Sequence, residues 1–144
     1  MTENFHLEIE KAYHNLKTIV NHTQLQFNQR LSEKFKSNIY FKREDQQTVR
    51  SYKIRGAYNS IFSLDAPQRS KGVVCASAGN HAQGFAYGCS LMKIKGHVFM
   101  PQVTPKQKIS RVKNFGGEWV TIELVGNTYD EAAHVAFKFC TEHN

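Results

Sequence analysis

After residue 52 the chain switches repeatedly between two hydrophobic periods, and this alternation constrains its fold more than any other feature. Ile54, Ala57, Tyr58 and Ile61 stand at i, i+3, i+4 and i+7, which predicts a helix over 53–64. Asp65-Ala66-Pro67-Gln68-Arg69 reads as a break, and Val73-Val74-Cys75-Ala76 as a strand. A tight Ser77-Ala78-Gly79-Asn80 turn leads into a second helix with Ala82, Phe85, Ala86 and Cys89 on one face. His97-Val98-Phe99-Met100 is a second strand, closed by Pro101. Thr104-Pro105-Lys106-Gln107 has the form of a capping box with proline at the first helical position. The helix it opens carries Ile109 and Val112 and stops at Gly116-Gly117. Trp119-Val120-Thr121-Ile122 is a third strand. A second box, Thr128-Tyr129-Asp130-Glu131, opens a helix with Ala132, Val135, Ala136 and Phe139 on one face. Strands and helices in strict alternation with short links imply right-handed βαβ units, hence an α/β fold with an open parallel sheet and flanking helices.

The first fifty residues are less regular. Residues 4–18 read as a helix with Ile9, Ala12, Tyr13 and Leu16 on one stripe. Leu25-Gln26-Phe27 and Asn38-Ile39-Tyr40-Phe41-Lys42 read as strands, with a short element of unsettled type around Leu31 and Phe35. These segments have no evident partner sheet in the chain. The expected division is therefore an N-terminal segment, 1–50, belonging to a larger layer, and a smaller α/β unit, 51–144.

Bulk properties exclude several classes. With 144 residues, 40% hydrophobic and 22% charged, the sequence describes an ordinary globular domain or part of a larger one. No apolar run reaches the length of a membrane span, and residues 1–6 lack the features of a secretory signal. The three cysteines are widely spaced. Cys75 and Cys89 read as buried small hydrophobes in a reducing, cytoplasmic setting. The seven histidines form no metal-ligand spacing; Glu131 and His134 are one i, i+3 pair without a second. A formal charge of +7 raises nucleic acid as a partner. Its densest basic group, Lys106, Lys108, Arg111 and Lys113, reads better as a solvated helix face.

Two stretches carry chemistry. The polar run Arg43-Glu44-Asp45-Gln46-Gln47-Thr48 leads to Arg50-Ser51-Tyr52-Lys53-Ile54-Arg55-Gly56-Ala57. Ser51 as N-cap would put Lys53 in the first helical turn, where the helix's partial positive charge disfavours an ammonium. With partial desolvation the neutral, nucleophilic amine comes within reach; the alternative is a surface lysine beside a cap. The second stretch is Ser77-Ala78-Gly79-Asn80-His81-Ala82-Gln83-Gly84, at the carboxyl end of a parallel strand, where such sheets bind ligands. Free N–H groups at the following helix start suit an anion; an ordinary strand–helix connection is the alternative. GxGxxG, Walker A and GxSxG patterns are absent, which speaks against dinucleotide, P-loop and serine-hydrolase sites. An amine nucleophile beside an anion-binding turn suggests an imine-forming enzyme that pairs an aldehyde cofactor with an acid substrate.

Phe41-Lys42-Arg43-Glu44-Asp45, Ser51-Tyr52-Lys53-Ile54-Arg55-Gly56-Ala57 and Ser77 to Gly84 resemble the signatures of the threonine dehydratases. Thr104 to Ile109 and Gly126 to Ala132 match in spacing, so the resemblance covers essentially the whole chain. Thr23-Gln24-Leu25 departs from the family's usual Thr-Pro-Leu. The resemblance implies a tryptophan-synthase-β-like fold (fold type II) and pyridoxal 5'-phosphate as cofactor. It implies Lys53 as the lysine bonded to the cofactor's aldehyde, and Asn80 on its phenolic oxygen. Tyr52 is then expected near the cofactor ring, with Ser77, Ala78, Gly79, Asn80 and His81 around the substrate carboxylate. The implied reaction is α,β-elimination from L-threonine to 2-oxobutanoate and ammonia, toward isoleucine, with serine giving pyruvate.

The related serine racemases carry a serine at the position of Ala78, and alanine has no proton to transfer, so elimination is favoured over racemisation. A catabolic threonine/serine dehydratase is a lesser alternative. The family's glycine-rich phosphate loop has no counterpart here, since Gly126 is the one glycine after Gly117. The chain is therefore expected to be the N-terminal portion of a longer enzyme, homo-oligomeric at full length, or a non-catalytic folding module of it.

Overall fold

The computed structural model describes residues 2–143. Helix α1 (Thr2–Leu16) is followed by strand β1 (Leu25–Phe27), helix α2 (Gln29–Phe35) and strand β2 (Tyr40–Lys42). Next come α3 (Lys53–Phe62), α4 (Ala66–Lys71), β3 (Val73–Ala76) and α5 (Asn80–Met92). The series closes with β4 (Gly96–Met100), α6 (Lys106–Gly116), β5 (Val120–Leu124) and α7 (Tyr129–His143).

The alternation after residue 52 produces the expected open parallel sheet, in the order β3-β4-β5. Val73 pairs with Gly96, and Gly96 with Val120. Side chains of β4 alternate between its two faces, as a strand's period requires. Val98 and Met100 join Ala82, Phe85, Ala86 and Cys89 of α5 in the main core. His97 and Phe99 meet Phe139 of α7, with ring centroids 4.6 and 5.4 Å away. Helices thus cover both faces, which is why β4 reads as a nearly continuous apolar run. All four predicted core positions of α3, Ile54, Ala57, Tyr58 and Ile61, are buried. On α7, Ala132 and Ala136 are buried and Val135 is exposed.

Three local expectations change. The stretch 65–69 is a helix start: Asp65 accepts from the Gln68 N–H at 2.8 Å while the Gln68 side chain accepts from the Asp65 N–H at 3.0 Å. The box at Thr104 is not made. Pro105 takes an extended ψ of 136° and becomes the N-cap, so α6 starts one residue later and the Thr104 hydroxyl lies buried with no partner among the described residues. At α7 the Thr128 hydroxyl does accept from the Glu131 N–H at 3.2 Å, but Glu131 reaches back to the Asn127 N–H rather than to that of Thr128.

In the N-terminal region β1 and β2 find each other, pairing antiparallel with Leu25 opposite Lys42, so each does have a strand partner within the chain. The short element between them is helical, capped by the Asn28 side chain on the Leu31 N–H at 2.9 Å. Helix α1 docks only through its last turn. Leu16 is buried with Val49, Ile54 and Tyr58, while Ile9 and Tyr13 of the predicted stripe stay exposed for want of an opposing element.

Candidate active site at the start of two helices

The site begins with how α3 and α5 meet. A Cβ placed on Gly84 would lie 3.1 Å from the Lys53 carbonyl carbon and oxygen and from the Ile54 nitrogen. One turn on, a Cβ on Gly88 would lie 3.4 Å from Ile61 Cδ1 and 3.6 Å from Tyr58 Cα. Contacts that advance together along both chains mean that the helices run side by side in the same direction. Their N-termini therefore open at one place, the carboxyl end of the parallel sheet, where such folds bind ligands. Two helix starts aimed at one spot concentrate partial positive charge and unpaired N–H groups there.

Lys53 is the first residue of α3. The predicted cap differs: Tyr52 has helical dihedrals (φ −65°, ψ −12°) and occupies the N-cap position without a side-chain hydrogen bond, so Ser51 lies one residue too early to cap. The chain enters through a turn in which the Arg50 N–H donates to the Gln47 carbonyl and Arg50 takes a left-handed φ of 59°. Ser51 is buried, and its hydroxyl has no partner among the described residues. The Lys53 ammonium lies 4.9 Å from the centroid of the exposed Tyr52 ring, a cation–π contact, and no carboxylate of the described residues pairs with it.

Across from it the turn after β3 is held at both ends. The Ser77 N–H donates to the Phe99 carbonyl at 3.1 Å, and the Ser77 hydroxyl accepts from the Gly79 N–H at 3.3 Å. Gly79 is the N-cap of α5 without a side-chain bond, and a Cβ there would meet open space. Asn80, His81 and Ala82 begin the helix, so their N–H groups have no intrahelical acceptor. Ala78 packs against the main core, and Asn80 and His81 are exposed. Desolvation, and then the positive charge of Lys53, hold the His81 imidazole below its ordinary pKa, so lysine and turn face one another electrostatically. The structure brings Tyr52, Lys53 and residues 77–81 to one place. Cys75 and Cys89 belong to the core instead, and burial pushes both thiols up to about 12.

The sequence reading missed the clamp that holds the start of α3. The polar run 43–48 contains a 3-10 helix (Glu44–Gln46) built around one carboxylate. Arg55 donates to Glu44 through Nε and Nη2, each at 2.9 Å, and the Thr23 hydroxyl donates at 2.6 Å. Gln47, almost wholly buried, donates to Glu44 and exchanges hydrogen bonds with the backbone of Asn21. These donors hold the Glu44 carboxyl down to about 2, the Arg55 hydrogen bond being the largest cause. Thr23, which opens the departing Thr-Gln-Leu triplet, thus has a structural partner. The available signal was a glutamate and an arginine flanking the lysine stretch.

Known proteins share this chain's sequence and fold. L-threonine dehydratase biosynthetic IlvA of Lactococcus lactis is 53% identical over 137 residues, 95% of this chain and 33% of that protein. The Bacillus subtilis protein of the same name is 52% identical over 132 residues, 92% of this chain and 31% of that one. The chain thus spans about a third of the length of these relatives. Among solved structures, maize serine racemase superposes with a TM-score of 0.85 at 32% identity, over 94% of this chain and 40% of that one. The processed form of threonine deaminase isoform 2 from Solanum lycopersicum gives 0.81 at 34%, over 93% and 38%. The fold is accordingly tryptophan-synthase-β-like. The family described as pyridoxal-phosphate dependent enzyme matches residues 16–144, and the chain belongs to it.

Proposed function

We propose that this chain is the N-terminal part of a threonine ammonia-lyase that deaminates L-threonine to 2-oxobutanoate and ammonia. The observation that carries this reading is the convergence of Lys53 and the Ser77–His81 turn at the shared opening of α3 and α5. The residues suit the cofactor's aldehyde and the substrate's carboxylate. Lys53 offers an amine without a carboxylate partner among the described residues, and the α5 start offers N–H donors for a carboxylate. The orphaned Ser51 hydroxyl adds a buried polar atom beside them. The glycine-rich phosphate cradle of the family has no counterpart among these residues.

Bound pyridoxal phosphate supplies an electron sink for the charge that develops at the substrate's Cα. In the proposed assignment Lys53 would hold the cofactor's aldehyde, Asn80 would donate to its phenolic oxygen and the Tyr52 ring would pack beside it. N–H groups and side chains of Ser77, Ala78, Gly79, Asn80 and His81 hold the substrate carboxylate. With its amine free, Lys53 would take the substrate's Cα proton, and the β-hydroxyl would leave with that proton as water. The released enamine hydrolyses to 2-oxobutanoate and ammonia. Serine follows the same steps to pyruvate. Ala78 has no proton to return on the opposite face, which supports elimination over racemisation.

The reading extends to a role toward isoleucine formation, a cytoplasmic setting and a homo-oligomeric full-length enzyme, with residues 1–50 in a larger domain and 51–144 in a smaller one. No described helix is long and apolar enough to cross a membrane. The test is borohydride trapping after incubation with pyridoxal phosphate, with the modified residue located by mass spectrometry, alongside a keto-acid assay on L-threonine. Modification at Lys53 is expected. Modification spread over surface lysines, with no preference for Lys53, would sink the reading.

A further inference from the structure

We infer that Gly84 is a positioning residue for Lys53: its missing side chain sets the distance between the lysine and the turn at 77–81. The inference rests on the functional reading above. Lys53 opens α3 and the turn opens α5, so the relation between them is fixed where the two backbones touch. That contact is at Gly84. The three atoms a Cβ would meet at 3.1 Å are all main-chain atoms of Lys53 and Ile54, and main chain cannot swing aside as a flexible side chain does. Adding one carbon forces a retreat of a few tenths of an ångström.

Neither helix can absorb that retreat elsewhere. Ala82, Ala86 and Cys89 hold α5 in the core with full burial, and the Glu44–Arg55 pair holds the first turns of α3. Whichever helix gives way, Lys53 moves relative to the turn. Reacting groups need placement within about half an ångström, and a retreat of a few tenths takes up much of that tolerance. Gly88 supplies an internal control on the same helix. Its nearest neighbour is a side-chain terminus at ordinary van der Waals distance, so a methyl fits there. One turn apart, the same substitution should have opposite consequences.

The experiment compares the unmodified chain with Gly84→Ala and Gly88→Ala. Thermal unfolding, amide NMR spectra and borohydride-trapped modification of Lys53 across a pyridoxal-phosphate titration are measured on each. Gly88→Ala is expected to raise the unfolding midpoint, move amide signals around Tyr58 and Ile61, and leave the Lys53 titration unchanged. Gly84→Ala is expected to move signals at Ile54 and at the turn, and to shift the Lys53 titration to about fivefold higher cofactor or more. A merely structural glycine would change the unfolding midpoint without moving that titration. Should Gly84→Ala not fold, it is placed in the Gly88→Ala background, and a double variant that still does not fold assigns Gly84 to packing alone and overturns the inference. Equal titrations in all three chains overturn it while leaving the functional reading intact. No Lys53 modification in the unmodified chain overturns both, with the amide shifts at Ile54 still judging the contact itself.

Discussion

Lys53 and Arg55, two residues apart on α3, have opposite surroundings. Arg55 is locked to Glu44 through two hydrogen bonds of 2.9 Å, in a network that reaches Thr23 and Gln47. Lys53 has an exposed aromatic ring for company and no carboxylate partner among the described residues. Both are cations at the positive end of one helix, so the helix alone cannot explain the difference. Arg55 holds the polypeptide in place, while Lys53 is held in place by it. A satisfied charge is a structural element; a charge kept free at the convergence of two helix starts is available for reaction.

The largest effects should therefore separate into function at one residue and stability at the other. Lys53→Ala is expected to abolish the trapped modification, while changing unfolding free energy by about 0.5 kcal/mol or less. It should also let His81 titrate closer to its ordinary value, from below, because a positive neighbour is removed. Arg55→Ala leaves the largely buried Glu44 carboxylate without its main partner and should cost about 2 kcal/mol, allowing for the partial exposure of the arginine. Arg43→Ala is the control. Arg43 pairs with Asp45 at 2.8 Å on the surface, and its loss should leave unfolding nearly unchanged. Equal costs for Arg43 and Arg55 in denaturant unfolding would break the distinction.

Acid sharpens the same contrast. Folding lowers the Glu44 carboxyl from its ordinary 4.5 to about 2, so its contribution is complete above pH 4.5, shrinks as pH falls and is gone below about 2. The contribution is at most about 3 kcal/mol, reduced by solvent screening. Unfolding measured between pH 5 and pH 2, a window set by that displacement, should show the loss in the unmodified chain. In Arg55→Ala the slope should be much flatter, because the main cause of the displacement is gone.

Why one region was legible in the sequence and the other was not has a physical basis. The parallel sheet announces itself because burial on two faces demands apolar runs such as His97–Met100 and a helical period between them. The clamp joins polar residues distant in sequence, Thr23 to Glu44 across 21 positions and Asn21 to Gln47 across 26, and no local period records such pairs. Lys53 and the 77–81 turn were legible as residue types in suitable contexts. That their helices run in the same direction from a shared opening was not, since it depends on Gly84 meeting the Lys53 backbone. Caps fall between the two cases. The pattern is local, but Pro105 moved one start and Asp65 made another that had read as a break. Asp65→Ala should accordingly cost about 1 kcal/mol, whereas Thr104→Ala, which removes no cap, should not show a capping loss.

The smallest effect bears most closely on the lysine. Ser51 and Thr104 each bury a hydroxyl that has no partner among the described residues. An unpaired buried hydroxyl is a cost, so Ser51→Ala and Thr104→Val should each be neutral or stabilising by up to about 1 kcal/mol in the chain by itself. The two positions differ in place: Ser51 is two residues before Lys53, and Thr104 lies ahead of α6. If the Ser51 hydroxyl is matched only when cofactor is bound at Lys53, its removal should stabilise the free chain and weaken the Lys53 titration together. Thr104→Val should stabilise equally with and without cofactor. Unfolding midpoints of both variants, measured with and without pyridoxal phosphate, decide between a hydroxyl that serves the site and one that is only packed beside it. A Ser51→Ala chain whose gain is the same in both conditions would place Ser51 with Thr104, outside the chemistry.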